Sequence, residues 1–94
     1  MSSVKVARLP EKFDFGYHKK FNDEMDAALK DPQVGDINLD FSAVSYLDSA
    51  ALGMIVYLHK KASSANKKVV ISNATGVAEE ILKTANIQKI VTIT

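Results

Sequence analysis

Leu39-Asp40-Phe41-Ser42-Ala43-Val44-Ser45-Tyr46-Leu47-Asp48-Ser49-Ala50-Ala51-Leu52-Gly53 is the stretch around which the rest of the chain organises itself. At its start Ile37, Leu39 and Phe41 alternate with Asn38 and Asp40, the period of a strand. Val44 and Leu47 then carry apolar side chains through a loop. A helix is predicted from about Ser49 to Ser63, with Ala51, Leu52, Ile55, Leu58, His59 and Ala62 on one face and Met54, Tyr57 and Lys61 on another. Asp48 is placed to cap that helix, its carboxylate accepting from a free backbone N–H. Strand, loop, Asp-Ser and helix together hold the Ser49 hydroxyl at the first turn, beside a carboxylate and within reach of another protein's active site. Three roles fit a serine there: a plain first-turn helix residue, a nucleophile, or a phosphoacceptor. The nucleophile lacks a histidine base and a G-x-S-x-G elbow. A phosphate would add nearly two negative charges beside Asp48, partly compensated by the helix N-terminus.

Upstream, Val4, Val6 and Arg8-Leu9 predict a first strand closed by Pro10. Lys12-Phe13-Asp14-Phe15 reads as a second short strand after a tight turn, with both phenyl rings on one side and Asp14 on the other. From Tyr17 to Leu29 the apolar residues Phe21, Met25, Ala28 and Leu29 form one helical stripe, stopped by Asp31-Pro32. Downstream, Asn66-Lys67 make a turn, and Val69-Val70-Ile71 reads as a strand covered on both faces or lying at the sheet centre. Thr75 is a candidate N-cap for a third helix, with Glu79 and Glu80 near its positive end and Val77, Ile81, Leu82 and Ala85 on its inner face. Ile87, Ile90, Val91 and Ile93 supply a last short strand. The order β-β-α-β-α-β-α-β implies an α/β fold: a mixed four- to five-stranded sheet with about three helices packed mainly on one side.

At 94 residues the chain is expected to form one domain, residues 1–94. An apolar fraction of 47% suffices for a single core. A net charge of +1 argues against bulk electrostatic binding to nucleic acid. The charge is uneven: residues 1–48 hold six Lys/Arg against nine Asp/Glu, residues 49–94 six against two. That describes either a polarised surface or ordinary solvated lysines at helix ends. There is no cysteine, hence no disulfide and no thiolate chemistry. The N-terminus lacks the apolar run of a signal peptide, and the longest apolar stretch, Ala50 to Leu58, is far short of the roughly 20 residues that span a bilayer. A cytoplasmic location without membrane contact is expected.

Catalytic and cofactor constellations are missing. His18 and His59 have no HExxH spacing, and Gly16, Gly35, Gly53 and Gly76 are isolated, so there is no P-loop or dinucleotide fingerprint. Asp14, Asp40 and Asp48 could approach one another at one end of the sheet and bind Mg²⁺, although capping and turn duties account for them more simply. The expectation is a binding protein with no cofactor, not an enzyme.

The central segment resembles the signature of STAS domains, in particular bacterial anti-sigma factor antagonists: a strand ending Asp-Leu/Phe-Ser, then Val-Ser-Phe/Tyr-Leu/Met-Asp-Ser-Ser/Ala-Gly-Leu-Gly, then a helix. Asp40, Ser42, Val44, Ser45, Asp48, Ser49, Leu52 and Gly53 stand in the matching places. Phe13-Asp14-Phe15 resembles the family's second strand, and the element order agrees over essentially the whole chain. The resemblance implies the STAS fold and a partner-switching regulator. Ser49 would be phosphorylated by a GHKL-type serine kinase that is itself the anti-sigma factor, and dephosphorylated by a PP2C-type phosphatase. The unphosphorylated form would hold the kinase or another regulatory partner. Asp14, Asp48, Ser49, Ala50 and exposed Met54 and Tyr57 would form the docking surface. Ala51 stands where the family often has Gly, which stiffens the helix start by up to about 1 kcal/mol. Many relatives continue past the position of Thr94 into a final helix. A second reading is a STAS module for a nucleotide or small ligand, with Lys60, Lys61, Lys67 and Lys68 attracting phosphates.

Overall fold

A computed structural model describes residues 3–94. Its elements in chain order are β1 (Ser3–Arg8), β2 (Lys12–Phe13), α1 (His18–Lys30), β3 (Val34–Asp40), β4 (Tyr46–Leu47), α2 (Ser49–Ser64), β5 (Lys68–Ser72), α3 (Gly76–Thr84) and β6 (Thr92–Ile93). Two 3₁₀ turns, Phe15–Tyr17 and Ile87–Lys89, precede α1 and β6. The main sheet has the order β1-β3-β5-β6, and β2 pairs with β4 outside it. The α/β class is the expected one. In detail the main sheet is parallel at every pairing rather than mixed. A helix lies between each successive pair of its strands along the chain, and a crossover of that kind returns the chain in the same direction.

The alternation in β3 decides which face is covered. Ile37 and Leu39 are sealed, as are Ala7 of β1 and Val69 and Ile71 of β5, all on the helix-bearing side. Asp36, Asn38 and Asp40 point the other way, where Ser72 Oγ donates to Asn38 Oδ1 at 2.7 Å. β5 is an internal strand, as its apolar run implies, but one face of it is open: Val70 is half-buried. The polar residues of β3 let a parallel sheet carry a solvated face, which such sheets seldom do.

Three local expectations need correction. The second strand ends at Phe13. Asp14 leaves it and accepts a hydrogen bond from Gly16 N at 3.0 Å, which winds Phe15–Tyr17 into a 3₁₀ turn and turns Phe15 away from Phe13. Thr75 occupies the N-cap of α3, yet its side chain caps nothing. Gly76, with φ +59°, starts the helix in the left-handed region that favours glycine, and Ala78 and Leu82 face the core while Val77 is 56% exposed and Ala85 is exposed. The last strand is confined to Thr92–Ile93. Asn86 adopts φ 59° and Ile87 is buried inside the 3₁₀ turn, with Val91 buried and Ile90 on the surface.

The loop ahead of α2 is more structured than a connection. Ser45 and Tyr46 donate from their backbone N–H to Glu11 O, and Asp48 N donates to Phe13 O, so β4 lies beside β2. Phe13 anchors this corner. It is fully buried, with ring centroids 5.3 Å from Phe21, 6.1 Å from Tyr17 and 6.2 Å from Phe41. Contacts of this kind add about 0.5–1.5 kcal/mol each beyond the area they bury. The corner that carries the Asp-Ser segment therefore stands on a packed aromatic cluster.

Candidate functional site

Asp48 has extended backbone (φ −97°, ψ 179°) and caps α2, with Oδ1 accepting from Ala51 N at 2.8 Å. Its other oxygen, Oδ2, accepts from Phe15 N at 3.3 Å. One carboxylate thus ties the start of α2 to the turn after β2, two segments 33 positions apart in sequence. Ser49 follows as the first residue of the helix and is exposed, while Ala50 is half-buried. A phosphoryl group on Ser49 would sit at the positive end of a 16-residue helix and against the charge of Asp48.

Phe15 belongs to this corner and is not singled out by the sequence. It is 61% exposed, and its ring stacks on His18 at 4.3 Å and 10°. His18 Nδ1 donates to Phe15 O at 2.8 Å. The ring is fixed by its neighbours yet presented to solvent. The local signal for it is the Asp-Phe-Gly triplet: an aspartate that bonds the N–H two residues on makes an Asx turn, and a turn breaks strand alternation.

On the other flank of Ser49, Leu52, Val77, Glu80, Ile81, Thr84 and Ala85 line an open, largely apolar groove of about 330 Å³ between α2 and α3. Leu52 lies one turn from Ser49, so the groove opens beside it. Gly53 is also one turn on, exposed, and a Cβ built there meets nothing within 4 Å. No contact inside the domain requires a glycine at that point, although glycine in a helix costs up to about 1 kcal/mol relative to alanine.

The residues expected to dock a partner divide. Asp14, Asp48 and Ser49 meet at one corner, with Ala50 next to them. Tyr57 is 58% exposed on the following turns, with Lys61 Nζ 4.8 Å from its ring centroid. Met54 is not exposed: it is half-buried between α1 and α2, in a cleft it shares with Phe21, Met25 and Leu29. Its position points away from Ser49 because five residues of helix rotate it by about 140°.

Asp40 has a separate task. Its Oδ1 accepts from Ser42 N at 2.9 Å and from Asn73 Nδ2 at 3.1 Å, and Oδ2 lies 3.8 Å from Arg8 Nε. These partners hold its carboxyl below the usual aspartate range, the Ser42 backbone N–H contributing most, then Asn73 and the Ser42 hydroxyl, with Arg8 last. The carboxylate clamps the ends of β1, β3 and β5, and so positions the loop leading to Asp48. Among the described residues no three His, Cys, Asp or Glu side chains gather to hold a metal ion. Asp14, Asp40 and Asp48 are each occupied by backbone N–H groups. Of the four lysines that might attract phosphates, Lys61 bridges to Asp26 at 3.1 Å, and Lys67 donates to Asp31 O at 2.8 Å and to Val34 O.

This arrangement is that of a STAS domain, and the sequence matches that family over residues 2–94, so the chain belongs to it. It is 30% identical over 79 residues to a STAS-domain containing protein of Pseudomonas aeruginosa strain UCBPP-PA14, covering 84% of this chain and 76% of that one. The fold superposes on a candidate anti-sigma factor antagonist of Thermotoga maritima with TM-score 0.79 and 27% identity, over 94% of this chain and 77% of the other. SpoIIAA, a Bacillus cell fate determinant solved in its phosphorylated form, gives TM-score 0.74 at 14% identity, over 100% of this chain and 85% of its own. At that identity the likeness is one of fold. The same fold serves elsewhere: the STAS domain of a SulP transporter from Vibrio cholerae gives TM-score 0.79 at 16% identity, over 97% of this chain and 73% of its own. No helix among the described residues is long and apolar enough to cross a membrane.

Proposed function

We propose that this domain is a phosphorylation-controlled partner-switching regulator of the anti-sigma factor antagonist type, acting by binding and not by catalysis. In this reading the unphosphorylated domain holds a cytoplasmic GHKL-type serine kinase that is the anti-sigma factor, or another regulatory protein. The kinase phosphorylates Ser49 with its own ATP, and a PP2C-type phosphatase reverses the step. The observation that carries the reading is the corner itself: an exposed Ser49 at a capped helix start, flanked by a bare, fixed aromatic at Phe15 and by the apolar groove at Leu52, Val77 and Ile81. Apolar flanks supply binding surface, and a single hydroxyl between them supplies the switch.

Phosphorylation at Ser49 leaves the core untouched, since the side chain lies on the surface. It places close to two charges within a docked interface, where desolvating them costs several kcal/mol unless a cation meets them. A loss of about 3 kcal/mol is more than a hundredfold in affinity. Ser49→Ala is therefore expected to stay folded and hold the kinase constitutively, and Ser49→Asp to stay folded and release it in part. The test is calorimetric titration of each variant against the kinase, with circular dichroism as the folding control. Equal affinities for the two variants contradict the proposal.

A further inference from the structure

The two edges of the main sheet are unlike. β6 has two residues, and so short an edge is poorly suited to pairing with another chain. β1 has six, contains no proline, and among the described residues has its backbone free on one side. Ser3 N donates to Gln33 O and Leu9 N to Asp40 O, so the odd-numbered residues turn their main-chain groups toward β3. Val4, Val6 and Arg8 consequently hold N–H and C=O at the free edge, since both groups of a residue in a parallel strand point the same way. Their side chains stand on the open face of the sheet, where Val4 is 56% and Val6 54% exposed. The β1–β3 register shifts between Ser3 and Val4 and is regular from Val4 to Arg8, and a valine-bearing edge of this length is a template for one more strand.

We propose that the strand it takes is β1 of a second copy of this chain, antiparallel and centred on Val6, joining two four-stranded sheets into one continuous sheet. The registers that use the free groups pair even residues with even. Centred on Val6, the pairs are Val6 with the partner's Val6 and Val4 with the partner's Arg8, each exchanging two main-chain hydrogen bonds. Lys5 then faces the partner's Ala7. Centred on Lys5, by contrast, the pairing sets lysine directly against lysine, an unfavourable like-charge contact. Centred on Val4, the described residues supply one even-with-even pair, Val4 with the partner's Val4. The favoured register also brings opposite charges together. Arg8 holds its own Asp40 only at 3.8 Å and is 78% exposed. Val4 lies in register with Asp36, which makes no ion pair among the described residues. Arg8 opposite the partner's Val4 is therefore about 10 Å, two strand spacings, from the partner's Asp36 at the Cα atoms, a span the two side chains can close. The joined strands are short, so the interface falls below the standard size of about 1,600 Å² and a weak, reversible dimer is expected.

The proposal rests on the β1 edge and on Asp36 beside it, and is independent of Ser49. The complete chain is expected to sediment as a monomer–dimer equilibrium at concentrations on the order of 100 µM. The chain has no cysteine, so a single introduced one reports the register. Val6→Cys is expected to cross-link to itself under mild oxidation, because opposed residues of a hydrogen-bonded antiparallel pair have Cα atoms about 5.5 Å apart, within disulfide range. Lys5→Cys, displaced from its own copy, is expected to give at least tenfold less cross-linked dimer. Val6→Lys, which sets like charges together at the centre, is expected to sediment as a monomer with an unchanged circular dichroism spectrum. A wild-type chain that remains monomeric throughout this range overturns the proposal. So does self-cross-linking of Lys5→Cys as efficient as that of Val6→Cys.

Discussion

Phe13 and Phe15 sit two residues apart in one short segment and meet opposite environments. Phe13 is sealed within a cluster of three other aromatic rings, while Phe15 is 61% exposed and touches the ring of His18. Alternation places the two on one side of a strand, but the chain ceases to be a strand between them. Asp14 bonds the N–H of Gly16, and the turn it makes sends the second ring outward to the edge of the Asp48–Ser49 corner. The contrast separates two places: Phe13 holds the corner from within, and Phe15 lies on its surface, where the proposed docking would meet it.

The largest effect that can break this contrast is on stability. Phe13→Ala is expected to destabilise the domain by about 3–5 kcal/mol, enough to unfold a chain of this size, as read by urea denaturation. Phe15→Ala is expected to stay within about 0.5 kcal/mol of the parent in the same experiment and to weaken kinase binding about tenfold. Similar stability losses for the two would erase the contrast.

Asp48→Ala comes next. It removes the cap of α2 and the acceptor for Phe15 N, and is expected to cost about 1–2 kcal/mol, more than a cap with no second partner. Asp48→Asn keeps an acceptor oxygen for the cap and is expected to recover at least half of that loss. If Asp48→Ala melts with the parent, Asp48 does not hold the corner together.

The smallest effect sharpens the contrast on the helix itself. Gly53→Ala is expected to stabilise the domain by up to about 1 kcal/mol, since a Cβ there meets nothing. If the proposed kinase docks against the bare helix one turn from Ser49, the same substitution is expected to weaken its binding. A variant that is more stable and binds undiminished would remove Gly53 from the docking surface.

Much of this was legible in the residues. The stripe Phe21, Met25, Ala28 fixes α1, the alternation Ile37-Asn38-Leu39-Asp40 fixes the covered face of β3, and Asp48 ahead of Ser49 fixes the start of α2. These are periodic or capping signals, which depend on nearest neighbours in sequence. What escaped depends on contacts across the fold. Nothing local to Asp48 tells that its second oxygen reaches Phe15, 33 positions away. Nothing local to Met54 tells that α1 lies over it. α3 starts after Thr75 as its cap signal implies, but Ala78 and Leu82 take its inner face and Val77 joins Leu52 and Ile81 in the groove, a rotation set by how α3 packs on the rest of the fold. The parallel sense of every pairing in the main sheet likewise follows from where the helices cross, which no single element specifies.

Ser49 carries the proposed switch, and mapping the phosphate tests that assignment. The chain is incubated with its serine kinase and ATP, and its peptides are sequenced by mass spectrometry. Three serines of the same segment compete in that measurement: Ser42 and Ser45 in the loop and Ser49 at the helix start. A single phosphate on Ser49 is expected, absent from the Ser49→Ala variant. A phosphate on Ser42 or Ser45, or one that persists in Ser49→Ala, would contradict it.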